Sequence, residues 1–446
     1  MEKVCTRFSP SPTGNMHIGN LRIALYAYLY AKQNNGKFIL RIEDTNKNFS
    51  KLDLDTNISY IKSTLKQFNL NWDEYYRQSE RLSIYQYYAH KLVNEGMAYI
   101  CQCPENSIEP CKCKLTNNPY VNKNYCIKFR VNSDISYNID CKDELRGNIS
   151  CNSNNLKDIV ILKQNGYPTY HLASVIDDFL MGITDVFRGE EWLNFFPYHI
   201  LLYNALGFSI PKYYHLPLIL NENSKKLSKR NNDIDITSIM LSGILPSVIL
   251  NYTLMLGYKF VETETIMTIG EMIKIFNVHN INLSPSRFDK KKLKNMNLKY
   301  AKTKEGITEY FELYKNKFKH ERLERLLYAY QNGINIVDLY NKTLNAPRIN
   351  SIKDLDIRYK KFFKYLYQQL EYIKKHKYNN DGRNFLDISE AKNILQKFLN
   401  IGYTNKEIHE WIRKALTGEI KGLPADILLT ILNIDELLWQ ITFKKE

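Results

Sequence analysis

The chain has 446 residues, 44% hydrophobic and 24% charged, ordinary values for a soluble globular protein of about two to four domains. No apolar run approaches the ~18 residues of a membrane span, which excludes a helical membrane protein. The 62 Lys+Arg against 47 Asp+Glu leave a net charge of +15. That favours a polyanionic partner, nucleic acid first. The abundance of Lys, Asn, Tyr and Ile also fits AT-rich coding bias, so part of the charge carries no such meaning.

The opening "MEKVCTRFSP" has neither an apolar signal core nor an Arg-rich amphipathic pattern, so no targeting address is expected. Residues 3–8 read as a short buried strand. The loop "SPSPTGNMHIGN" follows at 9–20, and "NLRIALYAYLYAKQNNG" reads as a helix stopped by its closing "NNG". "KFILRIED" at 37–44 is a second strand. Strand, glycine loop, helix, strand is the start of a parallel α/β unit, whose ligands bind beyond the carboxyl ends of the strands. Residues 51–100 read as helical. The Cys- and Asn-rich piece at 101–155 reads as an irregular, strand-like insertion. A strand at 157–163, a turn at "QNGYP" and a segment at 169–190 return to α/β character. From about 236 onward the pattern is mostly helical. In "RYKKFFKYLYQQLEYIKKHK" at 358–377, Phe362, Leu366, Leu370 and Ile373 form an apolar stripe. The basic remainder reads equally as a solvated face or an RNA-facing one. Thr404 to Glu407 is a capping-box pattern.

The opening loop is neither a Walker A loop nor a G-x-G-x-x-G turn. It places His17 two residues before Gly19, at the mouth of a helix whose N-terminus favours anions. A lone loop His has a structural role as readily as a chemical one. Downstream, "SKKLSKR" at 224–230 sets Lys226 and Lys229 about a Ser in a polar loop. Their ammonium groups suit charge developing on a pyrophosphate leaving group, or belong to a solvated basic patch. Eight cysteines include Cys101, Cys103, Cys111 and Cys113, two C-x-C pairs within thirteen residues. That clustering suits a reducing compartment and one tetrahedral Zn²⁺ site better than a disulfide framework, with free thiols as the alternative.

Together these stretches resemble one family. "HIGN" is similar to the HIGH signature, and "KLSKR" to the KMSKS signature, of class I aminoacyl-tRNA synthetases. "TRFSPSPTGNMHIGNLRIAL", "GKFILRIEDT", "YRQSERLSIY", "DELRG", "GYPTYHLASVIDDFLMGITDVFRGEEWL" and "KKLSKR" occur in order. They resemble the bacterial-type glutamyl-tRNA synthetases from residue 5 to about 300. The resemblance thins beyond that, although "ALTGEIKGLPADILLTIL" at 415–432 still resembles the family's C-terminal end.

The resemblance implies ATP, with Mg²⁺ on its phosphates, L-glutamate and tRNA(Glu) as substrates, and possibly tRNA(Gln) for a non-discriminating enzyme. It implies that Arg7, Ser9, Glu43, Tyr170 and Arg188 bind glutamate, the arginines because a planar guanidinium pairs with a carboxylate. It assigns Ser11, Thr13, His17, Gly19, Lys226 and Lys229 to ATP, with His17, Lys226 and Lys229 catalytic. Asn20, where the signature often has a second His, receives no role. The cysteine cluster matches a zinc knuckle of some members, with a shorter gap here. Lys290, Lys291, Lys292 and Lys294 suit phosphate contacts.

The implied fold is α/β: a Rossmann-type parallel-sheet catalytic domain with an insertion, followed by mostly α-helical tRNA-binding domains. The expected segments are 1–82 and 169–235 (catalytic halves), 83–168 (acceptor-end insertion), 236–308 (stem contact) and 309–446 (anticodon region). A bacterial cytoplasmic monomer is expected, with an organelle as the alternative location. Other readings fit less well. Glutaminyl enzymes resemble "PEPNG" where this chain has "PSPTG". The short queuosine-modifying paralogue ends soon after the catalytic domain. A small-metabolite nucleotidyltransferase needs no basic helical extension, and a non-catalytic paralogue has no use for His17, Lys226 and Lys229.

Overall fold

The computed structural model describes residues 3–45, 51–103, 112–114, 125–131, 136–221, 224, 235–259, 265–345, 356–377 and 385–441. The chain forms two compact units: residues 1–240 with 246–293, and residues 241–245 with 294–446. This division is coarser than the five expected segments, and its boundary falls within the 236–308 segment.

The first unit opens with strand β1 (Cys5–Phe8), helix α1 (Ile18–Gln33) and strand β2 (Lys37–Ile42), as the sequence pattern predicts. The "NNG" stop works through Asn34 as C-cap and Asn35 at φ +51°. Helix α2 (Lys51–Gln67) and helix α3 (Leu82–Asn94) form in the stretch read as wholly helical. Strand β3 (Glu74–Arg77) separates them, and strand β4 (Ala98–Cys101) follows. The tyrosines of "EYYR" suit a strand, but its stability comes from pairing with β2 (Ile39 with Glu74 through Ile42 with Arg77), a partner local pattern cannot reveal.

Next come β5 (Cys126–Phe129), β6 (Asn138–Asp143), β7 (Gly147–Asn152), β8 (Ile159–Leu162), α4 (Tyr170–Leu180), β9 (Asp185–Gly189), α5 (Phe196–Leu206) and β10 (Lys212–Leu216). The main sheet has seven strands in the order β3-β2-β1-β9-β10-β6-β7. All pair in parallel except β7, which returns antiparallel from β6. The β6–β7 hairpin therefore belongs to the main sheet, not to the inserted piece in which the sequence reading placed it. The insertion's own sheet is β4-β5-β8, antiparallel.

One face of the main sheet explains where the site lies. Cys5, Ile39, Val186, Tyr213 and Cys141 sit on β1, β2, β9, β10 and β6, in one apolar core with α3, α4 and α5. Two residues further along each strand, on the same face by the period of two, come Arg7, Arg41, Arg188, His215 and Asp143. All five are buried. The amino-terminal half of this face is thus hydrocarbon, and the carboxyl-terminal half is a row of buried ionisable groups.

Among its described residues the second unit is mainly helical, from Lys304–Tyr314 and His320–Gln331 to Ala425–Ile431 and Ile434–Ile441. Helix Ile357–Lys377 buries Phe362, Leu366 and Leu370, as its stripe predicts, while Ile373 is half-buried. The Thr404 capping box forms: Thr404 Oγ1 accepts from Glu407 N at 3.2 Å, and Glu407 Oε2 accepts from Thr404 N at 2.8 Å.

Candidate active site

The site lies at the carboxyl edge of the parallel strands, where the β1–α1 loop and the end of "KFILRIED" are expected. Burying guanidinium groups requires partners. Asp178, from the buried face of α4, receives Arg7 Nε at 3.1 Å and Arg41 Nη1 at 2.6 Å. Arg41 Nη2 also donates to Glu43 Oε1 at 3.3 Å, and Arg7 Nη1 donates to the Phe187 carbonyl at 3.2 Å. Beside them Asp177 accepts from Gln78, Arg81 and Tyr85 at 2.8–2.9 Å. Burial pushes Asp178 up, but Arg7 and Arg41 outweigh it and hold the carboxyl below its ordinary value. Glu43 goes the other way. Burial dominates over Arg41 and Arg7, and its pKa rises to about 7.

Arg188 is held differently. Its Nε donates to His215 Nε2 at 2.8 Å and its Nη1 to His199 Nδ1 at 2.8 Å. The guanidinium lies 4.6 Å from the Tyr213 ring centroid. Its Nη2 is buried with no hydrogen-bond partner, as is Ser9 Oγ. Tyr170 stacks on Trp192 at 3.9 Å and meets His199 at 5.8 Å between ring centroids. Tyr170 lies within electrostatic reach of Arg188, Glu43 and Arg7. Four of the five residues expected around glutamate therefore lie about Tyr170, and the fifth, Ser9, follows β1.

Of the expected ATP residues, Ser11, Thr13 and His17 lie in the adjoining loop and Gly19 in the first turn of α1. His17 caps α1: its Nδ1 accepts from Asn20 N at 3.2 Å, while Asn20 Oδ1 accepts from His17 N at 3.3 Å. Asn20, left without a role by the sequence, is thus the return half of a capping box. In the neutral ring this places the proton on Nε2. A Cβ on Gly19 would lie 2.9 Å from both Cε1 and Nδ1 of His17, so only glycine admits this ring position. Ser11 and Thr13 are exposed. Lys226, Lys229 and Cys111 lie outside the described residues. The sulfurs of Cys101, Cys103 and Cys113 lie within 4.8 Å of one another, with Cys103 and Cys113 at 3.6 Å. Cys126, which the sequence reading left unassigned, pairs in register with Cys101, and burial and Cys101 push its thiol up to about 11.

Sequence reasoning missed Arg41, Asp177, Asp178, Asp143, His199 and His215. A signal was present. Arg41 interrupts the apolar strand "FILRI", and two acids interrupt the apolar helix "LASVIDDFL".

Comparison with known proteins agrees with this geometry. The family of tRNA synthetases class I (E and Q), catalytic domain, matches residues 3–129 and 114–295. The glutamate–tRNA ligase of Aquifex aeolicus (strain VF5) is 34% identical over 98% of each chain. That of Clostridium botulinum (strain Hall) is 40% identical over 67% of each chain. The crystal structure of a glutamate tRNA ligase from Elizabethkingia meningosepticum in complex with its amino acid superposes with a TM-score of 0.65, at 28% identity, covering 99% of this chain and 98% of that one. The parallel sheet with its capped first helix is the catalytic core of a class I tRNA synthetase. The chain belongs to that family and, within it, to the glutamate–tRNA ligases.

Gly19→Ala tests the loop geometry. Alanine gains up to about 1 kcal/mol in helix propensity, which the weakened His17 cap offsets by a similar amount, so thermal stability should change little. The displaced His17 ring should nonetheless lower kcat/KM for ATP by about ten- to a hundredfold in ATP–pyrophosphate exchange.

Proposed function

We propose that this chain activates L-glutamate with ATP to glutamyl-adenylate and transfers the glutamyl group to the 3′-terminal adenosine of tRNA(Glu). The observation that carries the reading is the buried, unpartnered Arg188 Nη2, on an arginine that shares with Arg7 and Glu43 the surroundings of Tyr170; Ser9 Oγ is likewise buried without a partner. Buried donors without partners await an acceptor, and the carboxylate of a glutamate side chain supplies one to Arg188. Glu43 then receives the substrate ammonium.

An oxygen of the substrate α-carboxylate attacks the α-phosphorus, the bond to the β-phosphate breaks, and pyrophosphate leaves. A ribose hydroxyl of the terminal adenosine then attacks the mixed anhydride carbonyl and displaces AMP. Catalysis is positioning and charge stabilisation, with no covalent nucleophile. His17 Nε2–H faces the nucleotide phosphates, and Gly19 keeps the loop open to them. Ser11 and Thr13 line the loop. Lys226 and Lys229 meet the leaving pyrophosphate. Mg²⁺ enters as part of the MgATP substrate.

The three described thiols suit zinc. Tetrahedral Zn–S bonds of ~2.3 Å set sulfurs about 3.8 Å apart, close to the 3.6 Å between Cys103 and Cys113. Cys101, Cys103 and Cys113 would hold the ion with Cys111, and it would pin the insertion and take no part in the chemistry. The five-segment division, monomeric state and cytoplasmic location belong to the same reading. Among the described residues no helix is long and apolar enough to cross a membrane. No observation favours glutamylation of tRNA(Gln) as well.

Glutamate-dependent ATP–pyrophosphate exchange, with and without tRNA, and charging of tRNA(Glu) and tRNA(Gln) test the reaction. Glutamylated tRNA(Glu) is the expected product; absence of any glutamate dependence overturns the reading. Metal analysis of the purified protein should return about one zinc per chain, lost in Cys103→Ser. The pH profile follows from Glu43. With its pKa raised to about 7, the carboxyl is neutral below that pH and cannot pair with the substrate ammonium. kcat/KM for glutamate should therefore rise with pH through about 7, and Glu43→Gln should lose that limb of the profile.

A further inference from the structure

Two strand-end residues behind the pocket have no assigned part. Asp143 ends β6 and opens the "DELRG" hairpin; His215 lies on β10, in direct register with Arg188 on β9. Asp143 Oδ2 accepts from His215 Nδ1 at 2.7 Å and from His215 N at 3.0 Å. Asp143 Oδ1 accepts from the backbone N–H of Leu145 at 3.0 Å and of Arg146 at 2.8 Å. Both carboxylate oxygens are engaged and the group is buried.

These contacts determine the proton positions. A guanidinium only donates, so His215 Nε2 must be an acceptor and Nδ1 must carry the proton that Asp143 receives. The same logic makes His199 Nδ1 an acceptor, and its Nε2–H donates to His171 Nδ1 at 3.1 Å. Both imidazoles beside Arg188 are therefore neutral, and burial pushes His215 down to about 4. Arg7 offers the contrast: its charge is met directly by Asp178 at 3.1 Å. Arg188 touches two neutral rings and two aromatic faces, and Asp143 reaches it only through His215.

We infer that Asp143 and His215 form a positioning pair that fixes the Arg188 guanidinium through a neutral imidazole, leaving its charge to be met by the substrate carboxylate. The inference rests on the reading that Arg188 receives that carboxylate. A carboxylate in the place of His215 would hold Arg188 as firmly but would already neutralise it. The imidazole spacer supplies rigidity without compensation. The pocket then favours an anionic side chain over the isosteric amide of glutamine, which would leave Arg188 buried and unpaired.

The test uses the full chain with tRNA(Glu) and four variants. Asp143→Asn has one oxygen for two sets of donors. If that oxygen keeps the hairpin amides, its NH₂ faces His215 and drives the ring proton to Nε2, against Arg188. His215→Leu removes the acceptor, and His215→Gln restores one at the Nε2 position. Arg188→Ala tests the parent reading. Asp143→Asn and His215→Leu should raise the glutamate KM by about tenfold or more, the scale of a charged hydrogen bond. The ATP KM should stay within about twofold, the Glu/Gln ratio of kcat/KM should fall, and His215→Gln should recover most of the loss. If glutamate and ATP KM rise together, or His215→Gln is as impaired as His215→Leu, the pair is only structural and the inference falls. Unchanged glutamate KM in Arg188→Ala would instead remove the reading beneath it. If His215→Leu fails to fold, Asp143→Asn and His215→Gln carry the same contrast.

Discussion

A single buried carboxylate, Asp178, holds two buried arginines from neighbouring strands, and the pocket is organised around that contact. Each of these ions leaves water at a cost of several kcal/mol, and the cost is offset only by close and well-oriented pairs. At 3.1 Å to Arg7 and 2.6 Å to Arg41, Asp178 supplies such a pair to both. Removing it would leave Arg7 without its carboxylate and Arg41 with only the longer contacts to Glu43 and Asp177, a loss on the order of 3–5 kcal/mol. Because Arg41 in turn reaches Glu43, the same carboxylate orders Arg7 and, through Arg41, the acid that on the proposed reading receives the substrate ammonium.

The pocket thus holds its arginines by two different means. Arg7 is neutralised within the protein and contributes shape and hydrogen bonds. Arg188 is oriented by His215 and His199 and keeps its charge. On the proposed reading, binding strength comes from the second and geometry from the first. Both depend on one property of a parallel sheet: side chains two residues apart share a face. The strands that bury Cys5, Ile39, Val186 and Tyr213 under α3–α5 therefore present Arg7, Arg41, Arg188 and His215 in a row at the rim.

Much of this was legible in the sequence. The β1–α1–β2 opening, the "NNG" stop, the Thr404 capping box and the helix at 358–377 follow from local pattern. The residues proposed for glutamate followed from motif resemblance alone; Arg7, Glu43 and Arg188 lie within electrostatic reach of Tyr170. Arg41 and Asp178 were legible only as anomalies, charges within apolar periods, because what makes burial tolerable is a partner 137 residues away. The β3 strand and the β6–β7 hairpin were misread for the same reason. "EYYR" and "NIDCKD" become strands of the main sheet through edges that β2 and β10 provide. Asn20 was opaque because a capping box needs backbone geometry, not only residue type.

The loop between β1 and α1 links the two halves of the chemistry. Arg7 lies in β1 just before it and Ser9 opens it, while His17 closes it as the N-cap of α1, with Gly19 in the helix's first turn. Between them Pro10 O accepts from Glu43 N at 3.0 Å and Pro12 O from Asn57 Nδ2 at 3.0 Å. At its far end Met16 O accepts from Ile236 N at 2.9 Å, and His17 bridges Asp235. Asp235 and Ile236 follow a few residues after "SKKLSKR" at 224–230, so the chain beyond the second signature is tied to the mouth of the first helix. A reaction without a covalent intermediate on the protein depends on the distance between a carboxylate and a phosphorus. On the proposed reading a single pinned loop sets that distance, since the same run of backbone that fixes glutamate at one end fixes the nucleotide at the other.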